Sequence, residues 1–294
     1  MAIFLVSGCG VPDSYEYKST IGTQGKKNGQ FFGLRAVQLL SEKSGEIVTL
    51  ESFTKKVQIA SNEGKFKKAF AHNPKNKKLR LESPTAIAIN PKNSDIAIAD
   101  NSESKVFIYN KNGTFKTVVK KVTRPQGIAY DSTGKLYVIS LREVKIAVYK
   151  ISGFGGKLEK SIAGTKDAVL KGPVDINIKN DIIHVLEDSA RRLTLFDLEG
   201  KVLLRISDKG GYGDFLSPKA VTVDKEGNIF IADTGDIPCV KFDKTGKFLS
   251  KIGVYGEENG QLMSPSGITV DGDGKVFISD DYKNNIQVFA RITP

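Results

Sequence analysis

The chain has 294 residues, with 44 Lys and Arg against 33 Asp and Glu, a net charge of +11 and a sequence pI near 9.4. Two cysteines, Cys9 and Cys239, are too few for a disulfide framework or a cysteine zinc pattern, and two histidines, His72 and His184, are too few for a three-histidine zinc site. The basic balance favours anionic partners such as nucleic acid, acidic polysaccharide or anionic headgroups, although a solvated lysine-rich surface gives the same count.

The first ten residues read MAIFLVSGCG. Val6-Ser7-Gly8-Cys9 resembles the lipobox of bacterial lipoproteins, in which an apolar and two small residues precede a cysteine that carries diacylglycerol. A secretory leader has a basic n-region and an apolar stretch of about 7–15 residues. Here Ala2–Val6 supplies the apolar part and no Lys or Arg precedes it. The expectation is a shortened lipoprotein-type leader and tether over residues 1–16, with Cys9 as the lipidation site and the protein anchored outside the cytoplasmic membrane. The alternative is a cytoplasmic chain with an incidental cysteine.

From residue 33 onward one pattern returns six times, over Gly33–Phe66, Glu82–Phe115, Thr123–Leu158, Lys171–Val202, Leu216–Gly253 and Met263–Ala290. The fifth copy is the clearest. Its apolar runs Ala220–Val223, Ile229–Ala232, Cys239–Phe242 and Phe248–Ile252 are cut by turn residues at 224–228, 234–238 and 243–247. Short runs rich in Val, Ile and Phe, bounded by Gly, Asp, Asn and Pro, predict strands joined by hairpins, here a four-stranded antiparallel meander. Pro84, Pro125, Pro173, Pro218 and Pro265 mark the register, with Leu34 in that place in the first copy. Their recurrence at about 40–50 residues predicts an all-β, six-bladed β-propeller of four-stranded antiparallel blades. The blades fall near 30–70, 79–121, 122–164, 169–210, 213–253 and 260–294, the last completed by 17–22, within one propeller domain over 17–294.

The last copy ends after its third strand, and the missing piece sits at the other end of the chain. YKSTIGTQGKKNGQ (Tyr17–Gln30) parallels FLSKIGVYGEENGQ (Phe248–Gln261). The N-terminal segment is therefore expected to join the last blade as its outer strand and close the ring, pairing an edge that would otherwise stay open.

The consensus S-P-x-G-I-x-V-D-x-x-G-x-I-(F/Y)-(V/I)-(A/S)-D, followed by x-V-F and G-K-F, resembles the NHL-repeat family of six-bladed propellers. The resemblance runs from about Tyr17 to the end and is most specific in blades two, five and six. It implies a fold; function has to be argued from sites. Six-bladed relatives include amidating lyases that hold zinc with several histidines and lactonase-type propellers with calcium at the axial channel. This chain offers His184 in a strand register, where it reads as a core residue, and His72 in a connection.

Strand direction sorts the loops. Turns between the first and second and between the third and fourth strands leave by one face; turns between the second and third strands and the inter-blade connections leave by the other. The second face collects Lys75, Lys77, Lys78, Arg80, Lys120, Lys121, Arg124, Arg142, Arg191 and Arg192, together with Glu51, Glu103, Glu143, Glu187, Asp188, Asp236, Asp280 and Asp281. It is expected to be a mixed face with a basic excess that takes a protein or an anionic polymer.

On the innermost strand of blade four, Asp175 replaces the small residues Ala86, Gly127, Ala220 and Gly267 of other blades, and Asn177 follows on the same side. These two are the axial-channel candidates. The repeating Asp100, Asp233 and Asp280 at second-strand ends, and Asp131, Asp224 and Asp271 at turns, read as hydrogen-bonding caps rather than catalytic groups. There is no phosphate-binding Gly-rich loop. The reading is a monomeric, non-enzymatic binding propeller with no cofactor, no metal and no catalytic residue. The alternatives are a metal-dependent hydrolase or lyase at the axial channel, and RNA binding by the basic face of a cytosolic protein.

Overall fold

The computed structural model describes residues 14–41, 44–71, 76–163, 169–211 and 213–292. Cys9, His72 and Lys75 lie outside the described residues, as does the side chain of Lys78. Six four-stranded antiparallel sheets stand around a common axis. Strands are named a to d from the axis outward.

The a strands are Leu34–Ser41, Pro84–Ile89, Pro125–Tyr130, Pro173–Lys179, Pro218–Val223 and Pro265–Val270. Each pairs with a b strand that ends at Glu51, Asp100, Ser140, Glu187, Asp233 or Asp280. The register proline sits opposite the last b residue, as in Pro84 with Asp100 and Pro265 with Asp280. A proline suits this place because the pairing is irregular there and no ladder amide is lost.

The ring closes with the first strand. Ser14–Ile21 pairs antiparallel with Asn285–Ile292, from Ser14 opposite Ile292 to Ile21 opposite Ile286. It begins at Ser14 rather than near residue 17, so 14–16 belong to the sheet and not to a tether. The two similar loops behave alike. Gln24 bridges Phe31 in parallel as Tyr255 bridges Leu262, and Gly29 N and Gly260 N donate to the equivalent side chains Gln58 and Gln287, each at 2.9 Å.

The core lies between blades. Six apolar clusters occur among the described residues, each built from two adjacent blades. Ala86, Ala88 and Ile108 of blade two, for instance, meet Ile128, Tyr130 and Val138 of blade three. Both faces of every b strand are covered, so Ile96–Asp100 and Ile229–Asp233 are buried throughout, unlike the alternating pattern of a one-sided sheet. Each buried Ile, Val or Phe contributes about 1.5–3 kcal/mol. Cys239 is one of these packed side chains; burial pushes its thiol well above the ordinary range and leaves it unreactive. Among the described residues no helix is long and apolar enough to cross a membrane.

Candidate binding face and axial channel

The face formed by the b–c turns and the inter-blade connections is built on buried carboxylates. Asp280 accepts from Met263 N at 2.6 Å, Ser264 N at 3.1 Å and Lys283 N at 2.9 Å. Asp100 does the same for Glu82 N, Ser83 N and Glu103 N, and Asp233 for Leu216 N and Ser217 N. Glu51 accepts from Phe32 N and Glu187 from Lys171 N. All five carboxylates are fully buried. Each ties its own b–c turn, the connection entering its blade, or both. In blade three Ser140 takes the role, donating to Thr123 O at 2.7 Å and accepting from Glu143 N.

This changes the charge of the face. Glu51, Glu187 and Asp280 are on it by topology but lie beneath its surface, already engaged. Arg192 goes with them: Nε and Nη2 donate to Glu187 at 2.8 and 3.0 Å. Arg80 pairs with Glu82 at 3.2 Å. Lys77, Lys120, Lys121, Arg124, Arg142 and Arg191 are exposed. Leu141 N donates to Arg124 O, which sets the Arg142 turn on the Arg124 connection and gathers that part of the basic set where blades two and three meet.

The residue two beyond the b-strand end takes an equivalent turn place in each blade: Phe53, Ser102, Arg142, Ser189, Gly235 and Tyr282. Phe53 is 68% and Tyr282 63% exposed. They belong to blades one and six, which adjoin through Ser266 Oγ donating to Leu34 O at 2.7 Å. Phe53 stacks on Phe32 at 5.2 Å, and Lys26 sits 5.5 Å above the Phe32 ring. These aromatics were missed because the b–c turns were read for charge; aligning the six turns position by position picks them out.

In the channel, Asp175 is half-buried and accepts from Val221 N of blade five at 2.9 Å. Burial pushes its carboxyl up to about 7, with the amides of Val221 and Ile176 and the charge of Arg35 opposing. Arg35 is on blade one, opposite blade four in a six-membered ring, and its Nε donates to Thr85 O at 3.3 Å. The small residues at the equivalent register places have a packing cause. A Cβ on Gly127 would lie 3.1 Å from Asp175 Cα, and one on Gly267 2.8 Å from Ala36 Cα.

Asn177 opens elsewhere. It lines a cavity of about 770 Å³ that touches all six blades, with Gln38, Ala88, Tyr130, Thr222 and Thr269. Asn90 and Asn180 at its rim belong to a–b turns, so the cavity opens on the face opposite the basic residues. Asp175 does not line it. Among the described residues no three His, Cys, Asp or Glu side chains come together as a metal-ligand group. His184 is buried in the b strand of blade four, opposite Asn177, and burial pushes its pKa down to about 4.

The chain is a six-bladed β-propeller of four-stranded antiparallel blades. No family model matches it. A stretch of 140 residues, 47% of the chain, is 24% identical to Protein brain tumor of Drosophila melanogaster, and the match spans 13% of that relative. A Bacteroides thetaiotaomicron protein of unknown function is similar in structure over 95% of this chain and 76% of its own, with a TM-score of 0.71 at 16% identity. A virginiamycin B lyase from Staphylococcus aureus is similar over 95% of this chain and all of its own, with a TM-score of 0.66 at 11% identity. At these identities the likeness carries the fold alone.

Proposed function

We propose that this protein is a non-enzymatic binding propeller of NHL type, and that its b–c face takes a protein partner with an acidic surface. The observation that carries the reading is the exposure of the b–c turn residues. They set exposed aromatics, Phe53 and Tyr282, on the same face as the exposed Arg142, Arg124, Lys120 and Lys121, while the carboxylates beneath are consumed in structure. Aromatic and arginine side chains are the usual anchors of protein interfaces. Anchoring through Cys9 outside the cytoplasmic membrane belongs to the same proposal.

The test is a photo-crosslinking amino acid at Tyr282, with one at Lys111 on the opposite face as control. Expected is one adduct from Tyr282 alone, lost with Arg124→Glu/Arg142→Glu. Equal adducts from both faces, or an RNA adduct in place of a protein, would sink the reading. Intact mass of the native chain beside Cys9→Ser tests the anchor, which requires the gain of a diacylglycerol on the native form only.

A second reading rests on Asp175. A carboxyl held near pH 7 in a channel facing an arginine can take and return a proton at neutral pH. A lyase or hydrolase activity lost in Asp175→Asn with the fold intact would support it. Its absence with and without added divalent cations would remove it.

A further inference from the structure

Blade three carries a hairpin unlike those of blades one, two, four and five. Its c and d strands, Lys145–Ser152 and Gly155–Ala163, have eight and nine residues. The corresponding strands of those blades have four to six. The extra length ends in Gly153-Phe154. Phe154 is fully exposed (104%), and a Cβ added to Gly153 would meet nothing within 4 Å. The base of the tip is braced. A Cβ on Gly155 would lie 3.2 Å from Val118 O, and one on Gly156 2.8 Å from the Val119 side chain, both in the outer strand of blade two. The aromatic ring therefore projects from a supported hairpin rather than from a loose loop.

The surroundings are basic. Lys150 and Lys157 stand directly opposite each other across the hairpin. Like charges so placed destabilise a hairpin unless an anion comes between them. Lys120 and Lys121 line a groove of about 370 Å³ between the tip and blade two. The acids nearby are committed: Glu159, which feels Lys150 and Lys157, is bonded to Lys135 at 2.8 Å, and Asp95 is bonded to Lys116. Among the described residues no ion pair neutralises Lys120, Lys121, Lys150 or Lys157.

An aromatic side chain on a convex tip, with ammonium groups at its base, matches the interface of an anionic bilayer. The ring reaches the acyl boundary while the lysines stay among the headgroups. An acidic protein surface fits less well, because the exposed apolar area at the tip is confined to Phe154, with only Leu158 further along the hairpin. We propose that the blade-three hairpin docks the propeller on an anionic phospholipid surface, Phe154 inserting and Lys120, Lys121, Lys150 and Lys157 meeting the headgroups. This contact is separate from any acyl chain on Cys9 and shares Lys120 and Lys121 with the edge of the b–c face.

The test uses the full chain with Cys9→Ser throughout, so that no acyl chain contributes. The sequence has no tryptophan, so Phe154→Trp installs a single reporter at the tip. Vesicles of phosphatidylcholine alone are compared with vesicles that also contain phosphatidylglycerol. Expected are co-sedimentation and a blue shift of emission with the anionic vesicles only. Phe154→Ser should weaken binding about tenfold. Lys150→Gln/Lys157→Gln should weaken it about tenfold and flatten its salt dependence. The Phe154 side chain is fully exposed, so its variants should keep the fold, which circular dichroism checks. The proposal is overturned by an unchanged emission with anionic vesicles at low salt, or by co-sedimentation that Phe154→Ser leaves intact. It is overturned equally if the tip reporter responds to an acidic protein and not to vesicles.

Discussion

Two desolvated titratable residues on adjacent strands of blade four, the half-buried Asp175 and the buried His184, pull stability in opposite directions with pH. Asp175 keeps its proton in the folded chain up to about pH 7, whereas the unfolded chain releases it near pH 4. Between those values the folded state binds more protons, so stability falls as pH rises. Asp175→Asn, which preserves an acceptor for Val221 N, should therefore gain on the order of 2 kcal/mol at pH 8 and nothing at pH 4. Urea titrations at both pH values check this; an equal effect at both would contradict the buried-acid account. His184 acts the other way. Its folded pKa of about 4 lies below the ordinary 6.5, so its contribution is present above pH 6.5 and is lost as pH falls toward 4. Blades five and six carry Phe230 and Phe277 in this b-strand place, so His184→Phe should fit and should remove about 1–3 kcal/mol of acid sensitivity between pH 6.5 and 4. That His184 is a core residue was legible from its strand register. That Asp175 would be raised was not, because desolvation depends on how closely blades three and five approach blade four.

At the scale of the element, the b-strand end links one blade to the connection that enters it. Blade five shows the strongest form: Lys209 Nζ lies 2.6 Å from Asp233, both side chains nearly without solvent contact, under the Phe215 ring at 5.9 Å. Lys209→Met leaves a buried carboxylate without its cation and should cost about 3 kcal/mol. Denaturant unfolding measures this, and a loss below ~1 kcal/mol would show that the two backbone donors to Asp233 suffice. The repetition of Asp100, Asp233 and Asp280 was readable along the chain and pointed to a structural role. Their depth was not, and so Glu51, Glu187 and Asp280 were counted as surface charge. Turn chemistry was local enough to read: Asp131 accepts from Thr133 N and Lys135 N, and Asp271 from Asp273 N and Lys275 N, all within four residues.

At the scale of the molecule, stability rests on ring closure. Ser14–Ile21 covers the outer edge of Asn285–Ile292, and its Tyr15 and Tyr17 meet Phe230 and Phe289 edge-on at 6.3 and 6.4 Å. Removing residues 14–21 strips the buried Ile21 and these two rings, a loss of at least about 4 kcal/mol, and exposes a long strand edge. Calorimetry should show a lowered or lost transition and light scattering concentration-dependent association. A melting temperature within about 3 °C of the intact chain would mean that the ring does not need this strand.

The repeat, the six blades, the closing strand and the turn-capping residues were determined by the sequence alone, because short apolar runs, register prolines and turn residues act within or between neighbouring segments. Tertiary structure decided which charges remain on the binding face, where Phe53, Tyr282 and Phe154 project, and that Asn177 lines the six-blade cavity while Asp175 does not. Those outcomes turn on burial and on contacts between blades, and burial is a property of the closed ring, set by chain segments as far apart as Gly33 and Asn284.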